Sequence, residues 1–229
     1  MKRSKKRIPP TWSVVATAHT PKGLRDAARL PRGKGVDLVE VRLDCLEDRG
    51  SGLRDALAKI KLPLILTARH PREGGAGRLG DAGRAALLEA HLPSAAFVDV
   101  EIRSAARFRI LLASAKRNGV GTILSFHDFK RTPPAARLRL KLREALRHGA
   151  DIAKIAVTLR DVRDLSALMS FQAGCGKLAT MGMGPLGKVS RLVLPLAGSR
   201  LVYGYLDRPQ VDGQWPAEEL AVRLAEVAP

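Results

Sequence analysis

The sequence predicts a closed (β/α)8 barrel built as one domain, and three observations carry that prediction. Eight short runs rich in Val, Ile or Leu recur at fairly even spacing, at 13–18, 37–44, 63–69, 97–102, 121–128, 152–158, 177–183 and 200–206. Each has the length and composition of a buried strand. Segments of helical character lie between them, so the natural arrangement is a parallel sheet with helical crossovers. The 229 residues suffice for one such barrel with short loops.

Taken in order, the elements sharpen this reading. The first run ends at His19-Thr20-Pro21-Lys22-Gly23. That is a poor match to the Gly-rich dinucleotide turn expected of a doubly wound open sheet. In the second, Glu40, Arg42 and Asp44 alternate with Val41 and Leu43, which predicts one shared face for the three. Thr67 and Arg69 share a face of the third, and Glu73 follows in Arg72-Glu73-Gly74-Gly75. The fourth carries Asp99 and Glu101. A helix is expected over 103–118, closed by Gly119. The fifth run ends Ser125-Phe126-His127-Asp128-Phe129, and a helix over 134–148 starts on a proline suited to a first turn and stops at Gly149. Lys154 sits mid-way along the sixth run, before a helix over 161–171 that opens on an acidic residue. The seventh ends Met181-Gly182-Met183-Gly184, with Arg191 on the segment after it. After the eighth, a last helix begins near Pro216 and runs to the chain end. Residues 1–10, strongly basic at 2–7, read as a flexible tail, leaving 11–229 as the barrel.

Bulk composition narrows the function classes. A hydrophobic fraction of 45% is ordinary for a globular protein, and two cysteines give no disulfide framework. No run approaches the ~18 apolar residues of a spanning helix. The basic start is not followed by an apolar stretch, so it is no secretory signal. A soluble cytoplasmic protein without a membrane partner is expected. The net charge of +18 favours anionic partners. Yet the arginines are scattered, stacking aromatics are few, and no nucleic-acid motif is present, so no specific nucleic-acid partner is expected.

Lys154 is the residue that asks for a chemical reason. Burying an ammonium is costly unless a carboxylate pairs with it or its proton is given up, and a neutral amine can form an imine with a ketone or aldehyde. Bland alternatives exist for its neighbours: Glu40 with Arg42 as an internal ion pair, Arg69 with Glu73 as a loop-closing one, Met181 and Met183 as packing. Together, an inward ring of acids, arginines, one histidine and one lysine is an expensive way to fill a barrel. The set suits imine-assisted elimination or aldol chemistry on a small anionic hydroxy-ketone. His127 would move protons, an acid such as Glu73 would orient it, and arginines would hold a carboxylate.

Glu40-Val41-Arg42-Leu43-Asp44, Thr67-Ala68-Arg69 with Glu73-Gly74-Gly75, Asp99-Val100-Glu101, Ser125-Phe126-His127-Asp128-Phe129, Asp151-Ile152-Ala153-Lys154, Met181-Gly182-Met183-Gly184, Ser190-Arg191 and Gly213-Gln214 occur in this order. The set resembles type I 3-dehydroquinate dehydratase, the imine-forming dehydratase of the shikimate pathway, over nearly the whole chain. That resemblance implies dehydration of 3-dehydroquinate with no metal or organic cofactor, in an enzyme commonly found as a homodimer. It implies that Lys154 forms the imine, that His127 is the general acid/base, and that Glu73 assists it. It assigns Arg191 to the substrate carboxylate. Glu40, Arg42, Arg69 and Gln214 bind ring hydroxyls or shape the site, Met181, Met183 and Tyr203 line it, and Gln210 stands in a lid loop. This loop, Pro209-Gln210-Val211-Asp212-Gly213, departs from the small Ser-Ala-Pro-Gly sequence of many relatives. Two other readings remain at this point: a class I aldolase-like imine-forming barrel, and a basic nucleic-acid-associated barrel without catalysis.

Overall fold

A computed structural model of the chain describes residues 12–47, 50–77 and 79–228; the stretch 1–10 expected to be a tail lies outside them. The strands are β1 (Ser13–Ala18), β2 (Leu38–Arg42), β3 (Leu64–Thr67), β4 (Phe97–Glu101), β5 (Gly121–Asp128), β6 (Ile152–Thr158), β7 (Leu178–Met183) and β8 (Leu201–Tyr205). The helices are α1 (Pro21–Arg29), α2 (Ser51–Lys59), α3 (Asp81–His91), α4 (Arg109–Arg117), α5 (Ala135–Arg147), α6 (Val162–Gln172), α7 (Gly187–Leu196) and α8 (Ala217–Val227).

All eight strands are parallel neighbours in the order β7-β6-β5-β4-β3-β2-β1-β8. The sheet curls until its end strands meet, where Arg200 N donates to Leu178 O at 3.1 Å. Thr17 lies opposite Glu40, Thr67 opposite Asp99, and Ser125 opposite Lys154. At the intervening joints the register slips: Arg42 faces Thr67, Glu101 faces Ser125, and Ala156 faces Met181. This stagger is what tilts strands around a closed barrel.

Local sequence accounts for the helix ends. The Thr20 hydroxyl accepts from Gly23 N at 2.9 Å, with Pro21 in the first turn of α1. Asp161 caps α6 by accepting from Arg163 N and Asp164 N. Gly149, just beyond α5, has φ +81°, the left-handed conformation expected of a glycine stop.

Two expectations need correction. The helix expected over 103–118 is broken: a 3-10 turn spans Ile102–Ser104 and regular helix begins only at Arg109. A local and a tertiary contact pin the segment: the Ser104 hydroxyl reaches Glu101, and Phe108 is buried under the Arg84 guanidinium, 5.0 Å from its ring centroid. The second strand stops at Arg42, so Asp44 lies in a 3-10 turn, Leu43–Cys45, and not on the strand face shared by Glu40 and Arg42.

Alternate strand residues face opposite ways. Val14, Val39, Leu66, Val98, Leu124 and Ile155 point outward and pack against helix residues such as Leu53, Leu88, Leu168 and Leu220. Each such fully buried side chain stabilises the fold by about 1.5–3 kcal/mol. The inward set begins apolar, with Val15, Leu38, Ile65, Phe97, Ile123, Ile152 and Leu201. The next inward position on the same strands holds Thr17, Glu40, Thr67, Asp99, Ser125, Lys154 and Tyr203, all buried. That change of character places the site.

Candidate active site

A cavity of about 120 Å³ opens above this polar layer at the C-terminal ends of the strands, the end where barrels of this type carry their chemistry. Lys154, 4% exposed, projects into it from β6. Its Nζ donates to Asp99 at 2.9 Å, lies 3.6 Å from Glu40, and sits 4.0 Å from the centroid of the Tyr203 ring. Burial alone would raise the Asp99 carboxyl, but Arg69 and Lys154 hold it far below the usual carboxylate range. Glu40 in turn accepts from the Thr17 and Thr67 hydroxyls.

His127 lies on β5, two residues beyond the Ser125 that pairs with Lys154, so it stands one inward step higher on the neighbouring strand. That step is roughly 6–7 Å. Its Nδ1 is 3.0 Å from Glu73 Oε2, which also accepts from His127 N at 3.2 Å. Nε2 is therefore the nitrogen left for a ligand. Burial, with the positive charges of Arg69 and Lys154, holds the imidazole well below its ordinary pKa of 6.5. Burial also pushes the Glu73 carboxyl up to about 7, against the pull of Arg69. A neutral imidazole backed by a carboxyl poised near neutrality is equipped to take up a proton.

Glu73 reaches this place from a 3-10 turn, Pro71–Glu73, closed by two glycines for different reasons. Gly74 has φ +81°, and any Cβ on Gly75 would meet the Arg69 carbonyl oxygen at 2.1 Å. Arg42 and Asp44 clamp this loop. Arg42 pairs with Asp44 at 2.9 Å and donates to Gly74 O, while Asp44 accepts from Arg69 N and Ala76 N. The pairs Glu40 with Arg42 and Arg69 with Glu73, which the sequence offered as bland alternatives, are thus absent among the described residues. Arg69 bonds instead to Asp99 through both Nη atoms and to Glu101 and Ser125. Glu101 is shared with Arg84, which is buried on α3.

Arg191 differs from these arginines. It is 2% exposed, and no carboxylate pairs with it among the described residues. Its Nε donates to Tyr203 O, and its Nη1 to the carbonyls of Gly182, Gly187 and Gly213. No hydrogen bond to Nη2 is made among the described residues. Burial lowers its pKa to about 10. A buried cation with a free donor edge facing a cavity is a site for an anion.

Met181, Met183 and Tyr203 line the cavity, as do Gln210 and Gln214 from the segment after β8. Gln214 Oε1 is taken by Gln210 N at 2.6 Å, so its carbonyl braces its own loop and only its amide nitrogen is left for a ligand. The twelve residues to which the resemblance assigns a catalytic or substrate-binding role all border this one cavity. Thr17, Gly74, Phe129, Ala156 and Val211 border it as well. Thr17 could have been found from the alternation in β1, and Ala156 from its place two residues after Lys154. Arg84, which sits behind Arg69, gives no signal in the sequence.

Residues 13–226 match the family model for type I 3-dehydroquinase. The chain belongs to that family. It is 36% identical over 209 residues to a 3-dehydroquinate dehydratase of Methanocella arvoryzae, covering 90% of this chain and 93% of that protein. It is 35% identical over 193 residues to one from Methanothrix thermoacetophila, with 83% and 82% covered. The crystal structure of 3-dehydroquinate dehydratase from Geobacillus kaustophilus superposes with a TM-score of 0.83 at 28% identity, over 94% of this chain and 91% of that one. The type I dehydroquinase barrel is thus the fold of the whole described chain. Among its described helices, none is long and apolar enough to cross a membrane.

Proposed function

We propose that the protein dehydrates 3-dehydroquinate to 3-dehydroshikimate through an imine on Lys154. The observation that carries this is one buried amine in the same small cavity as the His127–Glu73 pair and the Arg191 guanidinium, which no carboxylate among the described residues pairs. Family membership supports the substrate. In this reading Arg191 Nη2 takes the substrate carboxylate, which fixes the ring with its ketone toward Lys154. The amine adds to the ketone carbon and water leaves, giving a protonated imine that withdraws electrons from the neighbouring carbon. Neutral His127 removes a proton from that carbon through Nε2, and the electron pair moves into the enamine. The enamine expels the hydroxyl one carbon further on, which His127 protonates so that it departs as water. Hydrolysis of the imine frees the product and restores the lysine. Glu73 holds Nδ1 and stabilises the imidazolium while it exists.

Glu40, Arg42, Arg69, Gln210 and Gln214 shape the pocket in this proposal, and Met181, Met183 and Tyr203 wall it. Arg42 and Arg69 act through the loop and the carboxylates that they brace, more than by direct contact. A homodimer in the cytoplasm belongs to the same proposal, and sedimentation as a lone monomer would remove that part. The decisive experiment is borohydride reduction in the presence of dehydroquinate, followed by peptide mapping. The expected result is one adduct, on Lys154; turnover without any reducible adduct would overturn the mechanism.

A further inference from the structure

Tyr203 carries a buried phenol that no described residue satisfies. Its side chain is 3% exposed, borders the cavity, and presents its ring to Lys154 Nζ. The hydroxyl oxygen has no hydrogen-bond partner among the described residues. Nearby acceptors are committed elsewhere: Glu40 to Thr17 and Thr67, Asp99 to Arg69, Ser125 and Lys154. Burial, reinforced by the charges of Glu40 and Asp99, pushes the phenol well above the usual tyrosine range, so it stays a donor. Leaving such a donor unpaired is destabilising. A phenylalanine would supply the ring face and the packing equally well. The hydroxyl therefore fits a group that arrives with the substrate, beside the amine that meets it.

We infer that the Tyr203 hydroxyl touches the substrate, donating a hydrogen bond to the oxygen on the carbon that Lys154 attacks. The inference rests on the imine reading above and adds a donor for an oxygen to which that reading assigns no partner. As the amine adds, the C=O π bond opens and charge gathers on this oxygen, where a preorganised donor in a dry site is most effective. The tyrosine keeps its proton throughout. Counted from the ammonium form, Lys154 loses two hydrogens in becoming a protonated imine, and these are the two in the departing water. The step balances without a bond of the phenol breaking.

Tyr203→Phe tests this, because it removes one atom and keeps the ring. Three results are expected. The ligand-free variant melts at or above the parent temperature, since an unpaired buried donor is gone. The single-turnover rate of borohydride-trappable adduct on Lys154 falls about tenfold, the scale of one lost hydrogen bond. Affinity for an analogue with CH2 in place of the ketone is the same in parent and variant. Trapping at the parental rate overturns the inference. So does a lower melting temperature, which would mean that the hydroxyl already has a partner in the free protein. Equal loss of affinity for the CH2 analogue would show a role in shaping the cavity alone, and overturns it too. A parent protein that forms no adduct at all is a different failure, that of the imine mechanism itself.

Discussion

At the N-terminal end of its strands the barrel is filled by Val15, Leu38, Ile65, Phe97, Ile123, Ile152 and Leu201. At the next inward position the same strands present Thr17, Glu40, Thr67, Asp99, Ser125, Lys154 and Tyr203. Both layers exclude water, so they differ in chemistry and not in burial. The first gains stability from each apolar group removed from water. The second holds carboxylates and an amine, joined by the guanidinium of Arg69, that are stable there only because they satisfy one another. The difference teaches that in this molecule folding and chemistry draw on adjacent layers of a single core, and substitutions should separate them cleanly.

The strongest way to break the comparison is Lys154→Met. Turnover should fall by about 10⁴-fold or more and the borohydride adduct should vanish. The melting temperature should hold, because Asp99 keeps both Nη atoms of Arg69 and the Ser125 hydroxyl. Unfolding of this variant would mean that the polar layer is structural. His127→Ala should come next, slowing turnover by roughly 10² to 10⁴-fold. Trapping on Lys154 should survive, since the imidazole acts after the imine forms.

Substitution in the apolar layer should do the reverse. Phe97→Ala empties the place where the ring packs against Gly121 on β5, and should cost about 3–5 kcal/mol in chemical denaturation. The folded fraction should keep the parent kcat/KM. A large kinetic defect at full folding would show that the two layers are not separable.

The smallest effect sharpens the boundary between them. Glu73 titrates at about 7 in the folded protein against an ordinary 4.5, so between these values the folded chain holds a proton that the unfolded chain has released. The stability given by its protonated form is complete below about 4.5 and is lost as pH rises through 7. Glu73→Gln should flatten this fall by roughly 3 kcal/mol in denaturation curves recorded across that window. His127, held below 6.5, works in the opposite sense: its contribution is present above 6.5 and is lost on acidification. A Glu73→Gln variant with the parent's pH slope would show that the carboxyl is not the group responsible.

Much of the fold can be read along the chain because its signal is periodic. The eight apolar runs fall on the eight strands, with ends displaced by a residue or two. The alternation in Glu40-Val41-Arg42 and Thr67-Ala68-Arg69 marks the inward residues directly. Asp44 shows where this fails. Alternation continues through it in the sequence, yet the strand has already turned into a 3-10 helix at Leu43, freeing its carboxylate to hold the loop of Glu73. Arg84 shows the other limit, for nothing around it on α3 announces that it is buried against Glu101.

The sequence by itself determined the order of strands and helices, which side chains face inward, and that one amine, one imidazole and several arginines share that interior. Those properties follow from the two-residue repeat of a strand and from local capping, which neighbouring residues settle among themselves. Only the tertiary structure decided which cations are neutralised. Closing the barrel with its stagger brings Arg69 against Asp99 and Glu101, and Lys154 against Asp99, while Arg191 meets only backbone carbonyls among the described residues. Partnership between charges depends on distances across the closed cylinder, and no local pattern encodes them.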